Sequence, residues 1–240
     1  GISQTTLFDA QTFPTQFSAE VRNYDHMKIL PAGRADLHQK AGRHSSFLLG
    51  AAWQAWQQAK LPFPLPEQAA DTAPAADRAG IYLGAGEGPI DFDPFISLTA
   101  DGWQPDQKNM DWKIWAKAGL ERLDSRKEME QEPNMPGAHL AQLFKLRGPC
   151  MSCLTACAAS TQAIGEATML LRRGDADVML TGGSHSMIHP LGVMGFNLLT
   201  ALATEPRDEP TRASRPFDRH RSGFVLGEGG PAFLSEGEEA

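Results

Sequence analysis

The chain has 240 residues, of which 41% are hydrophobic and 21% are charged, so it can bury the core of one large domain or two small ones. Its formal net charge of −7 and the lack of a long basic run argue against a nucleic-acid-binding protein. No signal peptide and no apolar run of membrane length stand out, so we expect no membrane partner. Three closely spaced cysteines do not form a secreted disulfide framework, which favours the reducing cytoplasm.

The first part of the chain predicts a short edge strand and a long helix. The strand is expected over residues 16–21, where apolar and polar residues alternate. Asp36 is placed to cap a helix that runs to about Lys60, and three prolines over residues 61–66 end it. Its apolar residues recur at helical intervals and predict one buried face: Phe47, Leu48, Ala51, Ala52, Ala55 and Trp56. A linker is expected over residues 74–78.

A strand over Ala79–Gly84 is followed by a glycine-rich segment, residues 85–89. The glycines have G-x-G-x-G rather than G-x-G-x-x-G spacing, and residues 89–94 do not predict the helix that a dinucleotide loop requires. We therefore expect no nucleotide site here.

Residues 95–132 form a charged, tryptophan-containing segment that we expect to be an insertion. A helix is predicted over residues 111–130, with one face made of Trp112, Trp115, Ala116 and Leu120. The segment is either a packed surface excursion or, because long insertions often carry function, a lid or partner surface. A short helix over residues 136–145 follows.

The stretch from Gly148 to Gly183 predicts a strand, a sharp turn, a helix and a second strand. The apolar run at residues 151–155 predicts a buried strand, and residues 164–171 have helical spacing. Arg172, Arg173 and Gly174 are typical of a helix end, and residues 178–181 predict the next strand. A strand, crossover helix and strand imply a parallel sheet. Beyond it we expect a helical patch over 191–202, a tight loop over 218–224, and short strands at 225–226 and 231–234.

Cys157 lies at the junction of the predicted strand and helix, among small residues that leave room for a substrate. The helix N-terminus offers free N–H groups and a positive dipole end, which stabilise a thiolate. These features favour a catalytic thiol.

The alternative for this region is a metal site, because Cys150, Cys153 and Cys157 have C-x₂-C-x₃-C spacing. A cluster normally needs four ligands, and Cys150 and Cys153 point to opposite faces of a strand, so we expect these two to pack in the protein and no metal to bind. His185 and His189 are four residues apart, but Pro190 argues against a helix there. We expect hydrogen-bonded or solvated histidines at these positions, and likewise at His139 and His220.

The central stretch and its continuation, residues 148–196, resemble the active-site region of the β-ketoacyl-acyl-carrier-protein synthases, the condensing enzymes of fatty-acid synthesis. Three further blocks follow in the order of that family: ALAT at 201–204, ASRPFD at 213–218 and RSGFVLGEGG at 221–230. The resemblance implies a thiolase-like α/β fold made of two related αβαβα halves. Residues 1–240 would form the N-terminal half, a mixed five-stranded sheet covered by helices, without its first strand and first helix and without the C-terminal half.

The resemblance implies a 3-oxoacyl-[acyl-carrier-protein] synthase that works through an acyl-Cys157 intermediate in fatty-acid or polyketide synthesis. The backbone N–H of Cys157 would be one oxyanion donor. The catalytic histidines and a lysine belong to the absent half, so residues 1–240 alone should be inactive. No cofactor of its own is implied, because phosphopantetheine arrives on the carrier protein.

The resemblance also implies partners. An acidic carrier protein would dock on Arg34, Lys40 and Arg43, although an ordinary solvated helix face is the alternative. Phe224 would line the acyl pocket or simply pack in the core, and Glu228 would make a buried hydrogen-bonded contact. A homodimer would form through the strand before Cys157.

A non-catalytic partner subunit of the same family is the alternative function. Because that type replaces the cysteine, its presence in Thr155-Ala156-Cys157-Ala158 favours the enzyme.

Overall fold

A computed structural model describes residues 1–70, 73–86, 88 and 90–237. Glu87 and Pro89 of the glycine-rich segment therefore lie outside the described residues, as do residues 71–72 and 238–240. The strands are β1 (Ser3–Gln4), β2 (Phe17–Ser18), β3 (Ala79–Gly84), β4 (Trp103–Gln104), β5 (Asn109–Met110), β6 (Cys150–Cys153), β7 (Val178–Gly183) and β8 (Ala232–Glu236). The α-helices are α1 (Arg43–Ala59), α2 (Phe92–Gly102), α3 (Trp112–Arg122), α4 (Ser125–Met129), α5 (Met135–Phe144), α6 (Ala159–Arg172) and α7 (Pro190–Leu198).

The central sheet has the strand order β6-β3-β7-β8. Strands β6, β3 and β7 are parallel, as the strand-helix-strand pattern predicts, and β8 is antiparallel to β7. Gly84 pairs with Cys153 on one side and with Gly183 on the other, so three strands end at the same edge. The sheet is mixed, as the resemblance implied, and it has four strands in the part of the chain that the structure describes, which agrees with a five-stranded sheet that lacks its first strand.

Helices cover both faces of this sheet because alternate strand residues point to opposite sides. Ile81 and Leu83 of β3 pack with α1 and α5, where Trp56 stacks on Phe144 with ring centroids 4.3 Å apart. Met179 of β7 packs on the other face, against Ala167 and Leu170 of α6. The predicted buried face of α1 is confirmed for Phe47, Leu48, Ala52 and Trp56. The result is a three-layer α/β/α unit.

Several predicted boundaries were wrong. Helix α1 begins at Arg43, because Asp36 lies in a separate 3₁₀ turn (Ala35–His38) that buries His38. The predicted strand at 16–21 is only β2, which pairs with β1 outside the central sheet. Residues 225–226 form no regular strand; single bridges join Phe224 to Leu202 and Gly227 to Ala19.

The predicted insertion is also built differently. Helix α2 begins at Phe92, where we expected no helix, and the predicted helix over 111–130 is divided into α3 and α4 at Leu123 and Asp124. The division has a local cause, because the Asp124 carboxylate accepts the N–H groups of the first turn of α4. Part of the expected packed face is exposed, at 68% for Trp112 and 90% for Leu120, whereas Trp115 is half-buried and donates from Nε1 to Thr99 Oγ1. Ala118 and Gly119 are buried instead.

Strand β6 was predicted to be buried, but it is an edge strand whose side chains are half-buried or exposed. Met151 is 41% exposed and Cys150 is exposed, which contradicts the expectation that Cys150 packs in the protein. Within the described residues no helix combines the length and apolar content that crossing a membrane requires.

A buried polar chain joins the insertion to the core. His38 Nδ1 lies 2.9 Å from His139 Nδ1, and His139 Nε2 lies 2.9 Å from the Glu130 carboxylate. Glu130 also accepts the backbone N–H of Gly42 at 2.9 Å. The ring of His44 is buried nearby, with no hydrogen-bond partner for either nitrogen among the described residues.

Burial disfavours the charged forms of these groups to different extents. Desolvation, aided by the neighbouring His139, lowers the pKa of His38 from 6.5 to about 4. Desolvation also lowers the pKa of His44 to about 4, against the attraction of Glu130. Burial would raise the pKa of Glu130, but hydrogen bonds from His139 and Gly42 outweigh it and lower that pKa.

We therefore predict that acid destabilises the fold through these histidines. A histidine whose pKa is lowered in the folded state stabilises the protein above its unfolded pKa of 6.5, and this stabilisation is lost as the pH falls towards 4. The difference between 6.5 and about 4 corresponds to roughly 3 kcal/mol for each ring. Urea titrations at pH 7, 6, 5 and 4 should show this fall in the free energy of unfolding.

The variant His44→Phe should reduce the fall, because it keeps a buried ring but removes one titrating group. The control, His220→Gln, changes an exposed histidine and should leave the pH profile unaltered. An unfolding free energy that does not change between pH 7 and pH 4 would contradict the prediction.

Candidate active site

Cys157 lies in a 3₁₀ turn, Ala156–Ala158, between the end of β6 and the first residue of α6. The residue before it, Ala156, has φ = +49°, a left-handed conformation that is uncommon for a residue with a Cβ. Such strain costs about 1–3 kcal/mol and persists where the surrounding structure imposes it. The turn leaves the Cys157 side chain exposed at the N-terminal end of α6, as the sequence predicted.

The position of this turn depends on two glycines at the ends of the parallel strands. A Cβ atom added to Gly84 would lie 2.3 Å from the backbone nitrogen of Ser160, in the first turn of α6. A Cβ atom added to Gly183 would lie 2.3 Å from Ser160 Oγ and 2.6 Å from Gly84 O. Only glycine at these positions lets the helix start so close to the strand ends.

The strand ends and the turn border an open cavity of about 590 Å³ that contains Cys157. Leu154, Met187 and Phe196 supply large apolar side chains to its wall, and His185, Ser160 and Ser184 supply polar ones. A cavity with an apolar wall, a few polar groups and an accessible thiol can hold an acyl chain next to a nucleophile.

One wall of the cavity is fixed by a buried ion pair. The Glu228 carboxylate is fully buried and accepts hydrogen bonds from Arg43, from Ser186 Oγ at 2.7 Å and from the Val21 backbone N–H at 2.9 Å. Burial would raise the pKa of Glu228, but these hydrogen bonds outweigh it and lower that pKa. The next residue, Gly229, exchanges two backbone hydrogen bonds with His185. The buried contact expected for Glu228 is confirmed.

The three cations expected to dock a carrier protein have different surroundings. Lys40 is 63% exposed and lies 3.8 Å from Asp124, and Arg34 lies over the ring of Phe63. Arg43 donates to Glu228 and to Val21 O, so its guanidinium is engaged inside the fold. Docking on these residues stays a prediction, and Arg34 and Lys40 are the more available of the three.

Phe224 does not line the cavity of Cys157 but contacts a ring that does. It is 44% exposed and meets Phe196, which does line that cavity, edge to face at 5.4 Å between centroids. It also lines a second cavity, described below. A role in acyl binding stays a prediction.

Sequence reasoning missed His185, which we expected to be an ordinary loop histidine. Its position two residues after the Gly182-Gly183 end of β7 was the available signal, because side chains that follow parallel strands meet at the carboxyl edge of the sheet. His189 accepts the N–H of Gly192 at the start of α7, and His139 is hydrogen-bonded, as expected for both. Within the described ranges, no group of histidines, cysteines and carboxylates has the arrangement of a metal site.

A thiol presented at a strand-to-helix turn, on a mixed sheet between helical layers, is the arrangement of thiolase-like condensing enzymes. Residues 12–240 match the family model for the N-terminal domain of β-ketoacyl synthases, and the chain belongs to this family.

Known proteins of this kind resemble the chain over almost its whole length. A 3-oxoacyl-[acyl-carrier-protein] synthase 2 of Coxiella burnetii is 34% identical over 236 residues, which are 98% of this chain and 50% of that protein. The crystal structure of a β-ketoacyl synthase from Burkholderia phymatum matches with a TM-score of 0.74 and 23% identity, over 99% of this chain and 52% of that one. A type II polyketide ketosynthase, solved with its acyl-carrier protein, matches with a TM-score of 0.67 and 22% identity, over 98% and 50%. The chain thus spans about half the length of the relatives it matches.

We predict that Gly84→Ala displaces the turn of Cys157. The added methyl group would clash with the backbone of Ser160, so the helix start must shift. Alkylation of Cys157 by iodoacetamide, followed by peptide mass spectrometry, should change in rate by at least several-fold, and the protein should lose roughly 1–3 kcal/mol of stability.

Gly165→Ala is the matched control, because Gly165 lies in the same helix and has open space around its Cβ position. This change should raise stability by about 0.5–1 kcal/mol and leave the alkylation rate unaltered. Equal alkylation rates in the wild type and Gly84→Ala would show that the glycine does not position the turn.

Proposed function

We propose that the chain is the N-terminal half of a 3-oxoacyl-[acyl-carrier-protein] synthase that works in the cytoplasm and carries its acyl intermediate on Cys157. The observation that carries the proposal is the exposed thiol of Cys157 at the start of α6, facing an open cavity with an apolar wall. Family membership supports the condensing chemistry.

The first step would load the acyl group. The Cys157 thiolate attacks the carbonyl carbon of an acyl thioester; a bond from Sγ to carbon forms, and the bond to the carrier's sulfur breaks. The carrier thiolate leaves and takes a proton. The backbone N–H of Cys157, near the positive end of α6, is one donor for the oxyanion that forms on the way.

The second step would extend the chain. Malonyl carrier protein loses carbon dioxide, and the resulting carbanion attacks the acyl carbon on Cys157. The carbon–sulfur bond breaks, which regenerates the thiolate and releases a 3-oxoacyl carrier protein. We propose that this step needs histidines and a second oxyanion donor from outside these 240 residues, and no cofactor beyond the carrier's phosphopantetheine.

A carrier protein and a second copy of the chain are the proposed partners. The carrier is acidic, and Arg34 and Lys40 are cations beside the start of α1 that could attract it. Strand β6 has an outer edge that pairs with no strand of the described residues, together with the exposed side chains of Met151 and Leu154. An edge of this kind is suited to pairing with another strand, and so to a homodimer.

We predict that acyl carrier protein transfers its acyl group to Cys157. Incubation of the full-length protein with carrier protein that bears an acyl group should add the mass of one acyl group to the peptide that contains Cys157. The Cys157→Ser variant should gain none, and Cys150→Ser, which changes another exposed cysteine, should gain the full mass.

In a parallel assay, the 240-residue chain is supplied with acylated carrier protein and malonyl carrier protein. It should form no 3-oxoacyl product. Turnover by this chain would show that the proposed division of residues is wrong. A wild-type full-length protein that is never acylated would instead favour the alternative, a non-catalytic partner subunit.

We also predict that Met151→Glu weakens dimerisation. A carboxylate on each copy of the exposed edge would bring like charges together and leave them poorly solvated. Light scattering should show at least a tenfold weaker dimer than for the wild type. Leu120→Glu, at a 90% exposed position on α3, is the control and should have no effect. A monomeric wild type, or a variant dimer of unchanged affinity, would contradict the proposed interface.

A further inference from the structure

A second cavity, of about 520 Å³, is lined by three arginines in one short loop. Arg215, Arg219 and Arg221 share its wall with Ser214, and Phe224 and Ala201 are also part of it. In a chain with a formal net charge of −7, this is a local concentration of positive charge. Nothing in the loading and condensing chemistry described above uses these side chains.

The loop is folded so that the arginines converge. Asp218 and Arg221 close successive turns by donating their N–H groups to Arg215 O and Asp218 O. Phe224 pairs with the segment that follows α7. Its N–H donates to Ala201 O, and its carbonyl accepts the N–H of Ala203. The backbone that carries the three arginines is therefore held in place by hydrogen bonds.

Two of the guanidinium groups are held by the loop itself. Arg215 donates to His220 O at 3.1 Å, and Arg221 donates to Asp218 O at 3.0 Å. The Nε atom of Arg215 is buried without an acceptor among the described residues. A buried N–H without a partner is costly, so this guanidinium retains hydrogen-bonding capacity that the described residues do not satisfy.

The charges around the cavity do not cancel. Arg219 makes no hydrogen bond or ion pair with any residue that the structure describes, and it is exposed. Asp218 is the acidic side chain of the loop; it lies 3.9 Å from Arg215 and accepts the N–H of His220. One carboxylate beside three guanidinium groups leaves an excess of positive charge.

The arginine cavity adjoins the cavity of Cys157. Phe224 belongs to the first and Phe196 to the second, and the two rings are in edge-to-face contact. A ligand with a phosphate at one end and a sulfur at the other would have to pass this pair of rings to occupy both cavities.

We propose that Arg215, Arg219 and Arg221 bind the phosphate group of the thioester substrate that loads Cys157. The proposal rests on the proposed function for the identity of that substrate, but the phosphate site itself can be measured separately. Guanidinium groups bind phosphate oxygens through paired, charge-assisted hydrogen bonds, which lysines or neutral side chains do not reproduce.

The test is a calorimetric titration of the full-length protein with 4′-phosphopantetheine and with pantetheine, which differ only by the phosphate. We expect the phosphorylated compound to bind at least tenfold more tightly at low salt, and this ratio to fall as salt is added. Arg219→Ala should reduce the ratio several-fold and Arg219→Ala/Arg221→Ala should abolish it. Arg219 makes no hydrogen bond or ion pair within the described structure, so its variant should fold normally.

Arg212→Ala is the matched control, because Arg212 is an exposed arginine of the same region that pairs with Glu209 and does not line the cavity. Equal affinity for the two compounds would overturn the proposal, as would a ratio that survives in the double variant. Inorganic phosphate that binds as tightly as 4′-phosphopantetheine would also overturn it, since the loop would then hold free phosphate and not a substrate arm.

Acylation of Cys157 by an acyl-pantetheine, which has no phosphate, separates this proposal from the proposed function. If Cys157 is acylated but the protein binds both compounds equally, the proposed function is supported and the phosphate site is ruled out. If the protein binds the phosphorylated compound more tightly but Cys157 is never acylated, the phosphate site is supported and the proposed function is ruled out.

Discussion

The close approach of α6 to the glycine ends of β3 and β7 is the constraint on which the site depends. Gly84 and Gly183 have no side chains, so the first turn of α6 starts directly above the strand ends. The chain that joins β6 to this helix must then turn sharply, and Ala156 takes a left-handed conformation to do so. Cys157, the next residue, is consequently held outward at the helix N-terminus, beside the cavity rather than inside the core.

The rest of the fold holds this arrangement from both sides. Helices α1 and α5 bury a large apolar cluster against one face of the sheet, while α6 packs a smaller cluster, with Ala167 and Leu170, against the other face. The Arg43–Glu228 pair then links the start of α1 to the segment that forms one wall of the cavity. Because Glu228 is buried, the loss of Arg43 would leave an unpaired carboxylate, so this pair favours one position of the wall over others.

The insertion has a different relation to the site. It is joined to the core through Glu130, whose carboxylate contacts His139 and the N–H of Gly42, while the side chains of Trp112 and Leu120 face outward. Trp112 and Leu120 were expected to pack because they have helical spacing, but spacing shows only that side chains share a face. It does not show which face meets the core, and here the small residues Ala118 and Gly119 are buried instead.

Sequence patterns were sufficient to predict the strand-turn-helix-strand unit around Cys157, the parallel pairing that follows from it, the buried face of α1 and the family resemblance. These features depend on local periodicity, on the glycine that ends a helix and on small residues around a cysteine. Each of these is a pattern of residues that are close together in the sequence. The folded structure was needed to show that β6 is an exposed edge and that α1 starts at Arg43 and not at Asp36. Both depend on contacts between residues far apart in the chain, such as the pairing of Tyr82 with Met151, the ion pair of Arg43 with Glu228 and the contact of His38 with His139, and no local pattern contains them.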